Sequence, residues 1–137
     1  LPRGVIPQGT YTASGAYVEL MRFLTDDHRP YVKERPGYGR VVPKRTFKFR
    51  DDGNGCRQFD IGAWEVGVRY DYAKLSDGAI DGGTFNGVSG AVNWYWSSNA
   101  RMQFNLSWMR RSFQTRDLAA RLDGDVTALG VRFNIDF

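Results

Sequence analysis

The last twelve residues constrain this chain more than any other feature. From Val126 to Phe137, Leu129, Val131, Phe133, Ile135 and Phe137 alternate with Ala128, Gly130, Arg132, Asn134 and Asp136. A period of two sends successive side chains to opposite faces of an extended backbone. One face is therefore wholly apolar and the other small or charged, which describes a strand.

Three more segments repeat the pattern. In Ala100–Arg110, Met102, Phe104, Leu106 and Trp108 oppose Arg101, Gln103, Asn105 and Ser107. In Phe85–Ser97, Val88, Gly90, Val92, Trp94 and Trp96 oppose Ser89, Ala91, Asn93 and Tyr95. In Ile61–Tyr72, Trp64, Val66, Val68, Tyr70 and Tyr72 oppose Glu65, Gly67, Arg69 and Asp71. A fifth strand, about Thr12–Leu24, is less regular, because Arg22 falls on the register of Val18 and Leu20. Either a bulge intervenes there, or the apolar face is that of Tyr17, Met21 and Phe23. Between strands, Ser97–Asn99 is a tight turn, Ser76–Thr84 a Gly/Asp loop, and Phe113–Asp125 a longer charged loop. Asp26–Asp60 is the longest connector and carries Pro30, Pro36 and Pro43; its Thr46–Phe49 stretch is a candidate for a short extra strand.

Composition narrows the class. With 137 residues the chain is one modest unit, 15% aromatic and rich in glycine, which suits an all-β fold. No run approaches the roughly 20 apolar residues of a membrane helix, yet strands of a membrane barrel hide their hydrophobicity in alternation. The net charge of +4 is too mild to imply nucleic acid. Cys56 is alone, and His28 is the single histidine, so neither a disulfide framework nor a metal site is expected. No catalytic triad or phosphate-cradling glycine loop occurs, and neither enzyme activity nor a cofactor is expected. No signal peptide opens the chain at Leu1, so the sequence reads as a fragment or processed piece of a longer protein.

A soluble β-sandwich would also show one apolar face per strand. Three features favour a transmembrane barrel. The strands reach the roughly 9–11 residues that cross a bilayer at a tilt. Their second face mixes polar residues with Gly, Ala and Ser, as a watery lumen requires. Aromatics also sort by depth: if Ser97–Asn99 marks the periplasmic side, Trp64, Trp94, Trp96 and Phe137 fall toward it, and Tyr70, Tyr72 and Trp108 toward the outer side. Two such girdles suit amphipathic rings at two headgroup layers.

Several ordered motifs then carry a family resemblance. Phe23-Leu24-Thr25-Asp26-Asp27-His28-Arg29-Pro30-Tyr31 resembles the FLTGE-x-RPY element of the phosphate-selective porins, and Gly39-Arg40-Val41-Val42-Pro43-Lys44 their GRVKPK element. Gly62-Ala63-Trp64-Glu65-Val66 with Arg69-Tyr70 is similar to GAWEL…RY, and Val92-Asn93-Trp94-Tyr95 to LNWY. Asp26-Asp27 departs from the family's Gly-Glu, and Val42 stands where Lys is frequent. The resemblance implies an antiparallel outer-membrane barrel of 16 strands, of which this chain supplies about the last five. It also implies homotrimeric assembly, lipid contact, and passive uptake of phosphate, polyphosphate or other small anions.

Strand alternation places the long segment 26–60 on the periplasmic side, where turns are normally short, and the resemblance implies that it folds into the pore. It holds nine of the 19 basic residues. Arg29, Lys33, Arg35, Arg40, Lys44, Arg45, Lys48 and Arg50 are the pore candidates there, joined on strand faces by Arg69, Arg101 and Arg132. A cationic constriction between low-dielectric walls concentrates anions, and arginine offers a planar fork to phosphate oxygens. The strand arginines either line the pore or pair with Glu65, Asp71 or Asp136, and the segment itself is either a pore loop or a solvated charged loop. The competing functions are a general or differently selective porin and, from another class, a soluble β-sandwich binding module.

Overall fold

The computed structural model describes residues 10–34, 37–51, 57–78, 80–113 and 123–137; at 50, 51, 57 and 58 only the backbone is described. Among the described residues there is no helix, and every strand pairing is antiparallel. Seven strands form, β1 (Ser14–Phe23), β2 (Lys48–Asp51), β3 (Arg57–Asp60), β4 (Ala63–Asp77), β5 (Ile80–Tyr95), β6 (Ala100–Ser112) and β7 (Gly124–Ile135). Five make one sheet in the order β1-β4-β5-β6-β7, and β2 and β3 pair with each other as a separate hairpin.

The alternation read from sequence becomes two faces of this sheet. Register places Val18, Tyr70, Val88, Trp108 and Thr127 in one row across five strands. Trp64, Trp94, Met102 and Phe133 form another row on the same face. The rows are six residues apart on β4, about 20 Å along a strand. Between them the face is uncovered and, apart from Arg22 on β1, apolar: Leu20, Val68, Leu106, Leu129 and Val131 are all exposed, Leu129 by 77%. The opposite face carries Glu19, Arg69, Ser89, Ser107 and Ala128, all five in one row. Among the described residues no second sheet covers the apolar face.

Two local expectations are corrected. The pairing of β1 runs unbroken from Ser14 to Phe23, so there is no bulge, and Arg22 does stand on the apolar face, opposite Val66. It lies near the end of the strand, where a long side chain can carry its charge to a polar layer. The Gly/Asp stretch 76–84 is not an open loop. The β4–β5 ladder continues through Ser76↔Asp81 and Asp77↔Ile80, after an irregularity between Lys74 and Ser76. Gly82 sits at that irregularity, where an added Cβ would lie 2.0 Å from the Leu75 carbonyl oxygen. Backbone pairing beyond the apolar band needs no greasy side chains, so alternation stopped marking the strand before the strand ended.

The extra strand expected at Thr46–Phe49 occurs as β2, shifted to Lys48–Asp51 and paired with β3. Both lie outside the main sheet, so the segment joining β1 to β4 begins and ends at the rim that carries the 97–99 turn. Gly62, with φ 72°, makes the sharp entry into β4, and a Cβ there would meet the Tyr95 carbonyl oxygen at 2.3 Å.

Candidate pore-lining site at the turn rim

The long connector splits into two halves that grip opposite faces of the sheet. The first half lies on the polar face. Its anchor is Arg29, whose Nε and Nη2 donate to Oε1 and Oε2 of Glu65 at 2.7 and 2.6 Å. Glu65 is 1% exposed and would be a costly isolated charge. Its second oxygen also accepts from Asn93 Nδ2 at 2.9 Å and from the Tyr95 hydroxyl at 3.0 Å. Gln103 Nε2 donates in turn to Asn93 Oδ1 at 2.9 Å. Beneath this network Val41, Ala63 and Tyr95 form the only buried apolar cluster among the described residues, with Phe23 against it. Small neighbours on the same face, Ala63 and Gly67 along β4 and Ala91 opposite Gly67, leave room for the connector to lie down. The hydrogen bonds to Glu65 hold the Arg29 pKa above its ordinary value despite burial.

The second half leaves that face. Lys44 is the crossing point: its backbone N–H donates to Asp27 Oδ1 at 2.8 Å, and its ammonium pairs with Asp26. That bond holds the Asp26 carboxyl below its usual range. Three residues on, Phe47 N–H donates to the Trp96 carbonyl at 2.7 Å, and its ring packs on Trp94 and Trp96, on the apolar face.

The predicted pore residues divide accordingly. Arg29 and Arg40 reach the polar face, Arg40 donating to Asn99 Oδ1 at 3.3 Å and lying 3.6 Å from Asp136. Together with Arg101 they border one cavity of about 280 Å³, which Tyr38, Ser97 and Asn99 also line. Among the described residues Arg101 Nε is buried without a hydrogen-bond partner. Among the described residues neither Arg101 nor Arg132 forms an ion pair. Arg69 instead takes the pairing alternative: it binds Asp71 at 2.6 Å and lies over the Tyr17 ring at 4.1 Å. Lys44 is engaged at the crossing, Arg45 lies 4.0 Å from Asp60 and Lys48 belongs to the outward hairpin, so these three are not brought to the cavity, while the side chain of Arg50 lies outside the described residues. Lys33 sits in the turn between Tyr31 and Tyr38, and Arg35 lies outside the described residues.

The residues expected in the aromatic girdles are placed at the two ends of the apolar face and beyond it. Trp64, Trp94 and Trp96 stand at the turn rim, with Trp64 and Trp94 rings stacked 4.9 Å apart. Tyr70 and Trp108 share the far row, Tyr72 lies one pleat beyond, and Phe137 is fully exposed past the end of β7.

The sequence offers Arg29 as a pore cation and Glu65 as one of three alternative partners for the strand arginines, and the Arg29–Glu65 pairing is missed. The signal was present, since Arg29, Glu65, Asn93 and Tyr95 all belong to the motifs that carry the resemblance.

An antiparallel sheet with one uncovered apolar face between aromatic rows, and one polar face on which a connector is folded, has the build of a porin wall. A family model described as phosphate-selective porin O and P matches residues 6–137, and the chain belongs to that family. A relative from Caulobacter vibrioides, described as an uncharacterized protein, is 31% identical over 127 residues, covering 92% of this chain and 23% of its own length. The chain thus spans about a quarter of that relative. No solved structure matches the chain at a significant level. The family is one of channels rather than enzymes, and membership implies a location in the outer membrane of Gram-negative bacteria.

Proposed function

We propose that this chain is part of the wall of a closed, water-filled outer-membrane barrel that passes inorganic anions, phosphate among them. The observation that carries the reading is the convergence of Arg29, Arg40 and Arg101 on one polar cavity at the turn rim. Arg29 is neutralised by Glu65 and Arg40 is partly offset by Asp136, whereas Arg101 keeps an unpartnered Nε. One strongly compensated and two weakly compensated cations give moderate attraction, which suits an ion that must also leave.

The sheet's edges support the barrel reading. Among the described residues β1 and β7 each have one unpaired side, and open edges in lipid leave backbone groups unsatisfied. Five strands fall short of the about eight that close the smallest membrane barrels, so further strands complete the wall in this reading. The family's 16 strands and homotrimer are adopted with it, as are polyphosphate as a further cargo and lipid as the outer partner.

Planar-bilayer conductance of the full-length protein tests the proposal. The expected result is chloride preferred over potassium, with phosphate reducing the chloride current. Arg101→Gln should lower the chloride-over-potassium permeability ratio by roughly two- to fivefold. Cation preference without phosphate block would overturn the anion reading and leave a general porin. A protein that stays soluble and monomeric without detergent would overturn the barrel.

A further inference from the structure

The outward half of the connector is not explained by conduction. Phe47, Phe49 and Phe59 form a ring cluster: Phe47 lies 5.3 Å from Phe59 and 6.1 Å from Phe49, and Phe49 lies 4.9 Å from Phe59. Through Phe47 the cluster joins Trp94 at 5.3 Å and Trp96 at 5.9 Å, and Trp96 continues to Phe133 at 5.3 Å. The rings therefore extend the aromatic row of the apolar face beyond the edge of the wall. The hairpin leaves Phe49 78% and Phe59 51% exposed. A two-stranded hairpin with its rings in water would be marginal by itself, and nothing in a channel's lumen would require phenyl rings outside the wall.

We propose that the β2–β3 hairpin is a membrane foot, seating Phe49 and Phe59 in the headgroup layer of the leaflet next to the turn rim. The inference rests on the porin reading above, because it takes the apolar face to be the lipid face. Three observations select lipid as the occupant. The cluster is continuous with Trp94 and Trp96, which already stand at the depth where aromatic rings gain from an interface. The rings lie on the same side of the wall as Leu106, Leu129 and Val131, the uncovered apolar band. Arg45 and Lys48 flank the rings, both exposed, within reach of lipid phosphates. The seat is interfacial rather than deep, since the paired backbone of β2 and β3 has open outer edges that hydrocarbon would not tolerate.

The test uses full-length protein in vesicles of phosphatidylcholine and phosphatidylglycerol, on a Cys56→Ser background. A bimane label at Phe49→Cys, and separately at Phe59→Cys, is exposed to nitroxide lipids carrying the quencher at the headgroup or deep in the chain, and to aqueous iodide. A label at Leu129→Cys reports the mid-wall lipid face. The expected result is loss of hairpin fluorescence to headgroup nitroxide above iodide, with the Leu129 position quenched by the deep nitroxide. If Leu129 responds as expected but both hairpin labels respond to iodide alone, the foot is overturned and the wall stands. If the hairpin labels respond to neither quencher, a protein surface covers them, and the foot is again overturned. If Leu129 itself is quenched only by iodide, the wall reading fails first.

Discussion

The two halves of one connector solve the same problem with opposite chemistry. Residues 24–41 hold the polar face through a buried charge, and residues 46–60 hold the apolar face through rings. Each grip matches the solvent on its side. A bidentate ion pair fixes direction tightly, but it needs all its acceptors filled, which Asn93 and Tyr95 help to do. Ring packing tolerates small shifts and depends on area. The inner half is therefore expected to be rigid and intolerant of substitution, and the outer half adaptable.

Breaking the inner grip should have the largest effect. Glu65→Ala strands Arg29 beside the buried Asn93 and Tyr95. Loss of one partner of a buried pair costs about 3–5 kcal/mol. With the Arg29 side chain 32% exposed, about 2–3 kcal/mol is the fitting expectation. Hydrogen exchange should accelerate across 24–41, the unfolding temperature in detergent should fall, and exchange in 46–60 should change little. Equal acceleration of both halves would show that the grips are not independent.

Phe47→Ala should come next. It removes the ring that connects the hairpin to the wall, at a cost of about 1–2 kcal/mol for a half-buried phenyl. The signature is a change in the emission of Trp94 and Trp96, with exchange rising in 46–60 and not in 24–41.

The crossing point gives the smallest effect and sharpens the boundary. The Asp26 carboxyl is held below its ordinary 3.8 by Lys44, so the contact is present at neutral pH and is lost as pH falls through the acid range below that value. Exchange near residues 42–47 should rise there in the wild type and not in Asp26→Asn, in which the pair is already broken. Because Asp26 is open to solvent, neither half should detach.

Much of this was legible in sequence. The sheet strands, their facings and the aromatic rows follow from period-two alternation, because a strand with two different solvents leaves a record at every second residue. The path of the connector left no such record. The pore-loop alternative treated the segment as one unit, but Lys44 pairs with Asp26 at the crossing and Lys48 begins the hairpin joined to the apolar face through Phe47. Contacts such as Arg29 with Glu65 or Phe47 with Trp96 join residues far apart in sequence, and no local period announces them. Charge misled as well. A run of cations read as one functional unit, although the fold sends its members to two sides of a wall. Phe47, Phe49 and Phe59 were the contrary signal, three phenyls in a stretch otherwise read for its basic residues.

A clip that bites both sides of a plate also stops the plate from sliding. Shifting β4 by two residues against β5 would keep every side chain on its proper face, so alternation alone does not forbid the slip. It would, however, carry Glu65 and Trp94 about 7 Å out of step with each other, and the connector grips both at once. The straddling segment thus acts as an alignment key, selecting one stagger among several that the greasy and wet faces would accept.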